Sequence, residues 1–473
     1  LDITVFSAFL CYFFILVSIS VSVYILNKKS SDFTLGGRST NYLVTGISAH
    51  ASEMSDWLFM GYPAMVYSKG LMECWTAIGL TIFMFLNWHF IAKKLRVATE
   101  KYQSLTISSF FEKRFGDTSG AIRIIAACLC LIFFTYYISA ILVGVGRLFE
   151  AVLGINYFIG ISLGIMVVCY TLIGGFTTMV WIDLFQGLFL LSVLLIVPLL
   201  ALVKVGGFGS IVAAADARNI SLSLFPSFSL STIRDIVFPA AGWGLGYCGL
   251  PHLLTKFMAI DDPNKIVKAK WIGISWQILI LTAASLVAVV GLAFFQHGLA
   301  KPELIFVEMV QNLFSPFFAA FVSCAVIAAA INVMGAQIFV SASVITEDFC
   351  RKIFLAKKGI SEKRLSQMLT HYSRISLVLL CSLAYGIAIF TSDSIYNLVY
   401  YAWAGLGSSF GPLLIVSLYT KACHRNTAIV GMLSGGITAG LWTYFNTSVP
   451  SMFPGYAMSL GAMFLVEKIT SPK

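Results

Sequence analysis

The feature that most constrains this chain is a succession of apolar runs, each close to the ~20 residues a helix needs to cross a bilayer. Thirteen are read, near 4–26, 43–68, 72–92, 123–150, 156–176, 179–203, 235–258, 269–296, 311–345, 373–392, 395–420, 426–445 and 450–467. They lack the period-2 alternation of an outer-membrane barrel. Only 11% of the residues are charged and 59% are hydrophobic, too little charge to cover a soluble surface of this length. The prediction is an all-α integral membrane protein. Run 4–26 is too long for a signal-peptide core, lacks a basic stretch before it and is followed by Lys28 and Lys29, so it is expected to stay as the first span. Runs 123–150 and 311–345 are expected to tilt or to extend beyond the lipid.

Charge asymmetry orients the spans. One set of loops holds Lys28, Lys29, Arg38, the run from Lys93 to Arg123, and Lys256, Lys265, Lys268 and Lys270. It continues through the run from Arg351 to Arg374, Lys421, Arg425, Lys468 and Lys473, making 25 of the 31 basic residues. The positive-inside rule makes that side cytoplasmic, with the N-terminus outside and the C-terminus inside a cell (inner) membrane. The net charge of +10 is then topogenic, and no nucleic-acid partner is expected. Cysteines such as Cys128, Cys130, Cys169 and Cys324 lie inside apolar runs and read as packing residues.

Polar residues within a span are costly in lipid and point to function. The second span carries His50, Ser52, Glu53, Ser55 and Asp56, then Gly61 and Pro63, so its backbone ladder is expected to break mid-membrane. The seventh, from Gly242 to His252, is also Gly-rich, with Trp243, Tyr247 and Pro251 at i, i+4 and i+8 as one aromatic stripe. Two broken spans five apart suggest that spans 2–6 and 7–11 are equivalent units of opposite orientation. The segments are then 1–42, 43–204 (repeat 1), 235–420 (repeat 2) and 421–473, two added helices. Asp183 in span six, and Asn332, Gly335 and Gln337 in span nine, are further polar intrusions. Glu53 and Asp183, with no obvious Lys or Arg at their depth, predict a cation as counter-ion or a proton carried by one of them.

Several stretches in order now carry a resemblance: Leu35-Gly36-Gly37-Arg38, Ala51 to Trp57 with Gly61, Gly146 to Glu150, Tyr170 to Phe176, Trp243 to His252 and Ser343 to Asp348. The sequence resembles the solute:sodium symporter family, and within it the proline carriers, from about residue 5 to the end of span eleven. The resemblance implies thirteen helices around a five-plus-five inverted repeat (LeuT-like) and alternating access about a central site. It implies a substrate pocket with a Tyr on span four and a Trp, Tyr and Pro on span seven, matched by Tyr137, Trp243, Tyr247 and Pro251. A flat, apolar pyrrolidine ring suits aromatic faces. Its carboxylate suits amides freed by the break near Ser55 and Gly61, with Trp57 beside them.

The family's sodium cage is implied by carbonyls at Ala51 and Met54 of span two and Ala329 of span nine, plus two adjacent hydroxyl residues. Here that pair is Asn332 and Val333, and the family's span-two Asp is Glu53, while Asp183 is kept. A hard cation wanting five or six oxygens loses two hydroxyls for one amide. Two mechanisms compete: sodium held with Asn332 and a water or Glu53 completing the shell, with Gln337 nearby, or a proton on Glu53 or Asp183. The proton is favoured, because a carboxyl among apolar helices can titrate near neutral pH. The expected function is symport of proline with a coupling cation, without a cofactor and without catalysis. The alternatives are a sodium-coupled symporter of proline or of another solute (amino acid, sugar, sialic acid, pantothenate) and a membrane solute sensor. A sensor should carry a signalling domain, and none is read after the last span. No HExxH, GxSxG, P-loop or GxGxxG suggests an enzyme.

Overall fold

The computed structural model describes residues 3–26, 35–169, 175–350, 362–391, 394–420, 424–445 and 447–470. The stretch Tyr170–Gly174 and the basic residues Lys28, Lys29, Arg351, Lys352, Lys357, Lys358, Lys421 and Lys473 lie outside them. The described chain is helical, and one isolated bridge, Thr40 to Ile260, is its sole β pairing.

Eight helical stretches among the described residues are long and apolar enough to cross a membrane: Ile3–Val23, Leu71–Lys101, Ala121–Leu153, Phe176–Lys204, Pro263–Phe294, Pro316–Cys350, Ile395–Tyr419 and Arg425–Phe445. The other expected spans take different forms. Two are interrupted: α2 (Tyr42–Ala51) and α3 (Gly61–Lys69) share one run, and α11 (Leu230–Gly244) and α12 (Pro251–Ala259) share another. Between them lie α4 (Trp75–Leu86), α5 (Lys93–Lys101), α6 (Ile107–Arg114), α7 (Ala121–Leu153), α8 (Tyr157–Cys169), α9 (Gly175–Lys204) and α10 (Phe208–Ala217). Helix α1 is Ile3–Leu26. After α12 come α13 (Ile266–Phe294), α14 (Ile305–Leu313), α15 (Pro316–Ser343), α16 (Glu362–Phe390), α17 (Ile395–Tyr419), α18 (Arg425–Trp442) and α19 (Met452–Thr470). The run expected at 311–345 is thus two helices, parted at Ser315–Pro316, where proline opens α15.

The most enclosed of the long apolar helices described are α15 and α17, and α7 packs on both. Helices α2, α9 and α13 pack together beside them, α11 lies on α4, and α18 and α19 pair outside α17. Large apolar side chains point outward on the peripheral helices, Phe14, Leu199, Leu383, Phe390 and Phe464 among them, as lipid-facing surfaces require.

The Leu35–Arg38 stretch has a local physical reason. Gly36, Gly37 and Arg38 have φ of 59°, 64° and 54°, a left-handed turn that two glycines make accessible. It aims the Arg38 guanidinium at the Met258 carbonyl (2.6 Å) and the Ser104 carbonyl (2.9 Å). With Thr40 N–H donating to Ala259 O and Asp261 N–H to Thr40 O, this fastens the start of α2 to the end of α12. The first half of one interrupted segment and the second half of the other are therefore neighbours.

Candidate functional site

Helix α2 ends at Ala51, the chain leaves helical geometry through Ser52–Ser55, and a single 3-10 turn, Asp56–Leu58, precedes α3. Pro63 falls in the first turn of α3, where no amide donor is needed, so it starts a helix; the break lies ahead of it. In the other segment α11 gives way to a 3-10 stretch, Leu245–Gly249, and Pro251 is the first residue of α12. Trp243, Tyr247 and Pro251 therefore occupy three different backbone elements. The continuous aromatic stripe expected from their spacing is replaced by a stepped surface, because 3-10 turns rotate each residue further than α-helix does.

The aromatic residues still converge. Trp57, on the turn between α2 and α3, stacks on Trp243, with centroids 5.9 Å apart and planes at 24°. Trp243 is closed from outside by Tyr396, Tyr400 and Trp403 of α17 and donates its indole N–H to the Tyr396 hydroxyl at 2.7 Å. Tyr247 sets its ring edge-on to Trp403. From α7, Tyr137 brings its ring edge to His252, and its hydroxyl feels Glu53, Asp56 and Tyr247 electrostatically. That hydroxyl is buried with no hydrogen-bond partner, as are both Asp56 carboxylate oxygens and Ser55 Oγ. Asp56 fits against α7 because position 144 is glycine; a Cβ there would run into the carboxylate. The α17 aromatics were not anticipated, although Tyr396, Tyr400 and Trp403 at i, i+4 and i+7 mark one helix face.

Pro251 faces a different set of side chains. It lines a cavity of about 10 Å³, room for roughly one water, together with Thr106, Thr255, Ser343 and Phe410. A second polar chain orders the cluster: Trp88 Nε1 donates to His50 Nε2 (2.9 Å), and His50 Nδ1 meets Gln277 Oε1 (2.6 Å). Gln277 Nε2 then donates to the Tyr247 hydroxyl (3.3 Å). Since His50 Nε2 accepts, its proton is on Nδ1.

The cation residues bring one correction. Asp183 was read as lacking a basic partner at its depth, yet Lys256 Nζ donates to its Oδ2 at 2.6 Å and Ser48 Oγ to the same oxygen at 2.7 Å. Lys256 is 2% exposed, so it belongs to the interior and not to the cytoplasmic loop where its position in the sequence put it. One turn back on α12, His252 Nε2 stands 3.1 Å from Glu53 Oε1, close enough for an ion pair but off the line of a hydrogen bond. Ala51, Met54, Ala329, Asn332, Val333 and Gln337 are all buried, and α15 packs on α2 and the 56–58 turn. Both polar atoms of the Asn332 amide and of the Gln337 amide lack a hydrogen-bond partner. Val333 offers no oxygen beyond its carbonyl.

Such a centre, with two interrupted segments carrying buried polar groups into an apolar bundle, is that of a solute carrier. Residues 33–435 match the profile described as "Sodium:solute symporter family". The chain belongs to the sodium:solute symporter family. The high-affinity proline transporter PutP of Bacillus subtilis is 36% identical over 457 residues, 94% of this chain and 95% of that protein. The sodium/proline symporter of Escherichia coli (strain K12) is 35% identical over 95% of this chain and 89% of its own length. These relatives are carriers, not enzymes. In fold, the symporter is similar to a substrate-bound, outward-open Na+-coupled sialic acid symporter, with a TM-score of 0.81 at 17% identity over 99% of this chain and 98% of that one. It is also similar to MhsT in complex with L-phenylalanine, with a TM-score of 0.54 at 14% identity over 90% of this chain and 98% of that one. The family and the apolar helices make the symporter a multi-pass membrane protein.

Proposed function

We propose that this symporter imports L-proline together with a proton by alternating access. The observation that carries the substrate is the aromatic enclosure at the two breaks. Trp57, Trp243 and Tyr247 offer faces to a pyrrolidine ring and Tyr137 of α7 joins them, with Pro251 following at the start of α12. The substrate carboxylate is taken by backbone near Ser55 and Gly61, at the start of α3, where the helix dipole favours an anion. Relatives named as proline carriers at 34–36% identity support the same reading. We read the architecture as thirteen spans, with spans 2–6 and 7–11 as inverted repeats, the N-terminus outside and the C-terminus in the cytoplasm.

The proton is supported by the composition of the cage. Carbonyls of Ala51, Met54 and Ala329 with the single Asn332 oxygen fall short of a sodium shell, and Val333 adds no side-chain oxygen. The His252 imidazole also occupies space beside the Glu53 carboxylate, 3.1 Å from its Oε1. The test is labelled-proline uptake into proteoliposomes, with inward sodium and inward proton gradients imposed separately. Accumulation driven by the pH gradient without sodium is the expected result. Accumulation driven by sodium at fixed pH overturns the proton and restores Asn332 and Glu53 as ligands of a working cage. No uptake with either gradient removes proline as the cargo.

A further inference from the structure

The end of the bundle that carries the basic loops holds an open cavity of about 490 Å³ between α5 and the ends of α6 and α17. Lys93, Lys94, Lys101 and Arg114 line it, with Val97 and Thr420. We propose that this cavity binds the phosphate headgroup of an anionic phospholipid. The inference is independent of the cargo and of the coupling ion.

The first argument is charge. Other basic residues at this end are answered by acids: Arg96 by Glu100, Arg123 by Glu112, Lys265 by Asp261 and Arg425 by Asp117. No described carboxylate lines the cavity. The contacts of its cations are with uncharged groups. Lys93 Nζ donates to Asn264 Oδ1 at 3.0 Å, and Lys94 Nζ lies 3.4 Å from the centre of the Tyr419 ring. Arg114 donates from Nε to the Ser417 carbonyl at 2.9 Å and from Nη2 to the Thr420 carbonyl. These contacts fix the cations in place and cancel none of their charge, and Arg114 keeps Nη1 for a further acceptor. Four like charges around one space of ligand size repel one another until an anion enters. A phosphodiester meets ammonium and guanidinium donors with strong, charge-assisted hydrogen bonds.

The second argument is the flank of the cavity, which selects a lipid over a free anion. Val97 in the lining is exposed, and Ile82, Leu86 and Phe90, at i, i+4 and i+8, run back along α4 and the π-helical turn after it as an exposed apolar stripe. Ile415 and Tyr419, at i and i+4 on α17, make a second. The Tyr419 hydroxyl donates to the Phe90 carbonyl at 2.9 Å, so the two stripes meet beside the cavity. The same Tyr419 ring carries the Lys94 ammonium on its face. A basic pocket between helices, with lipid-facing surface leading away from it, meets both the headgroup and the chains of an anionic lipid. Free phosphate would use only the basic half. An exposed tyrosine at the join also suits the headgroup level of a membrane. A headgroup held there touches α5, α6 and α17 together.

The experiment is equilibrium binding of a fluorescent phosphatidylglycerol to the full chain in neutral detergent micelles. The competitors are unlabelled phosphatidylglycerol, phosphatidylcholine and inorganic phosphate. Phosphatidylglycerol should displace the probe at least about tenfold better than phosphatidylcholine, and inorganic phosphate at millimolar concentration should leave it bound. Lys94→Gln with Lys101→Gln should weaken binding by about thirtyfold, the usual contribution of two basic residues at a membrane surface. Lys93→Gln with Lys101→Gln serves if the first pair does not fold. Lys265→Gln with Lys268→Gln removes the same charge from the same end but outside the cavity, and should change binding by less than about threefold. Equal weakening by the cavity pair and this outside pair, or equal competition by phosphatidylcholine, overturns the site and leaves a diffuse attraction to a basic face. Displacement by millimolar inorganic phosphate overturns the lipid as occupant and makes the cavity a site for free anions.

Discussion

Tyr137 belongs to α7, where its ring meets His252, and Trp243 to α11, where Tyr396 of α17 backs it, so neither can stand in for the other. Truncating either removes an aromatic face of the proposed pocket without touching the backbone breaks. Trp243→Ala and Tyr137→Ala should each weaken proline binding by roughly tenfold or more, the equivalent of about 1.4 kcal/mol. Equilibrium binding of labelled proline to purified protein of unchanged expression is the check, and unchanged affinity in both would remove the pocket. Position 144 makes a second demand. Gly144→Ala pushes a methyl into the Asp56 carboxylate and should cost about 1–3 kcal/mol as overpacking. Combined with Asp56→Ala, the same methyl gains room, so the double variant should melt above Gly144→Ala alone. At this scale the sequence pointed to polar side chains that the structure buries, Glu53, Asp56, Asp183 and Asn332 among them. It placed Lys256 in a loop and read His252 only as part of the seventh span, because their partners sit on other helices and a lysine near a run's end is indistinguishable from a loop residue.

The helices explain why the breaks could be seen and their form could not. Polar residues and glycines in an apolar run announce an interruption, but whether proline ends or starts a helix depends on its register, and Pro63 and Pro251 both start one. The loops between apolar runs carry structure that the runs do not announce, and α6 is an instance. Thr106 caps α6, accepting from Ser109 N–H (3.0 Å) while Ser109 Oγ accepts from Thr106 N–H (3.1 Å). Its hydroxyl also donates to Asp348 in the π-turn that follows α15 (3.0 Å), and Arg123 of α7 pairs with Glu112. One residue thus caps α6 and ties it to the end of α15. Thr106→Ala should lower stability by about 1–2 kcal/mol from the lost cap alone. Thr106→Ser, which keeps the oxygen, should recover most of it in a thermal melt.

At the scale of the molecule, alternating access requires that contacts between moving bodies exist in one state and part in the other. Arg147, near the end of α7, pairs with Glu303, on the turn that leads into α14. That turn packs on α3, the second half of the first interrupted segment, whereas α7 packs on α15, α16 and α17. The ion pair therefore spans from the α7 side of the bundle to the side that carries the break, and Asp56 beneath it feels the same guanidinium. A partly exposed pair of this kind is worth little in stability, about 0–1 kcal/mol, so its removal should leave the fold intact. If α3 and α7 part at this end during transport, holding them together must stop the cycle. Arg147→Cys with Glu303→Cys, oxidised in proteoliposomes, should lose proline uptake and regain it on reduction, with wild type carried through the same oxidation to discount its own cysteines. Uptake by the oxidised, cross-linked protein at the rate of the reduced one would mean that these two elements travel together, and the moving boundary would then have to lie between α7 and its other neighbours.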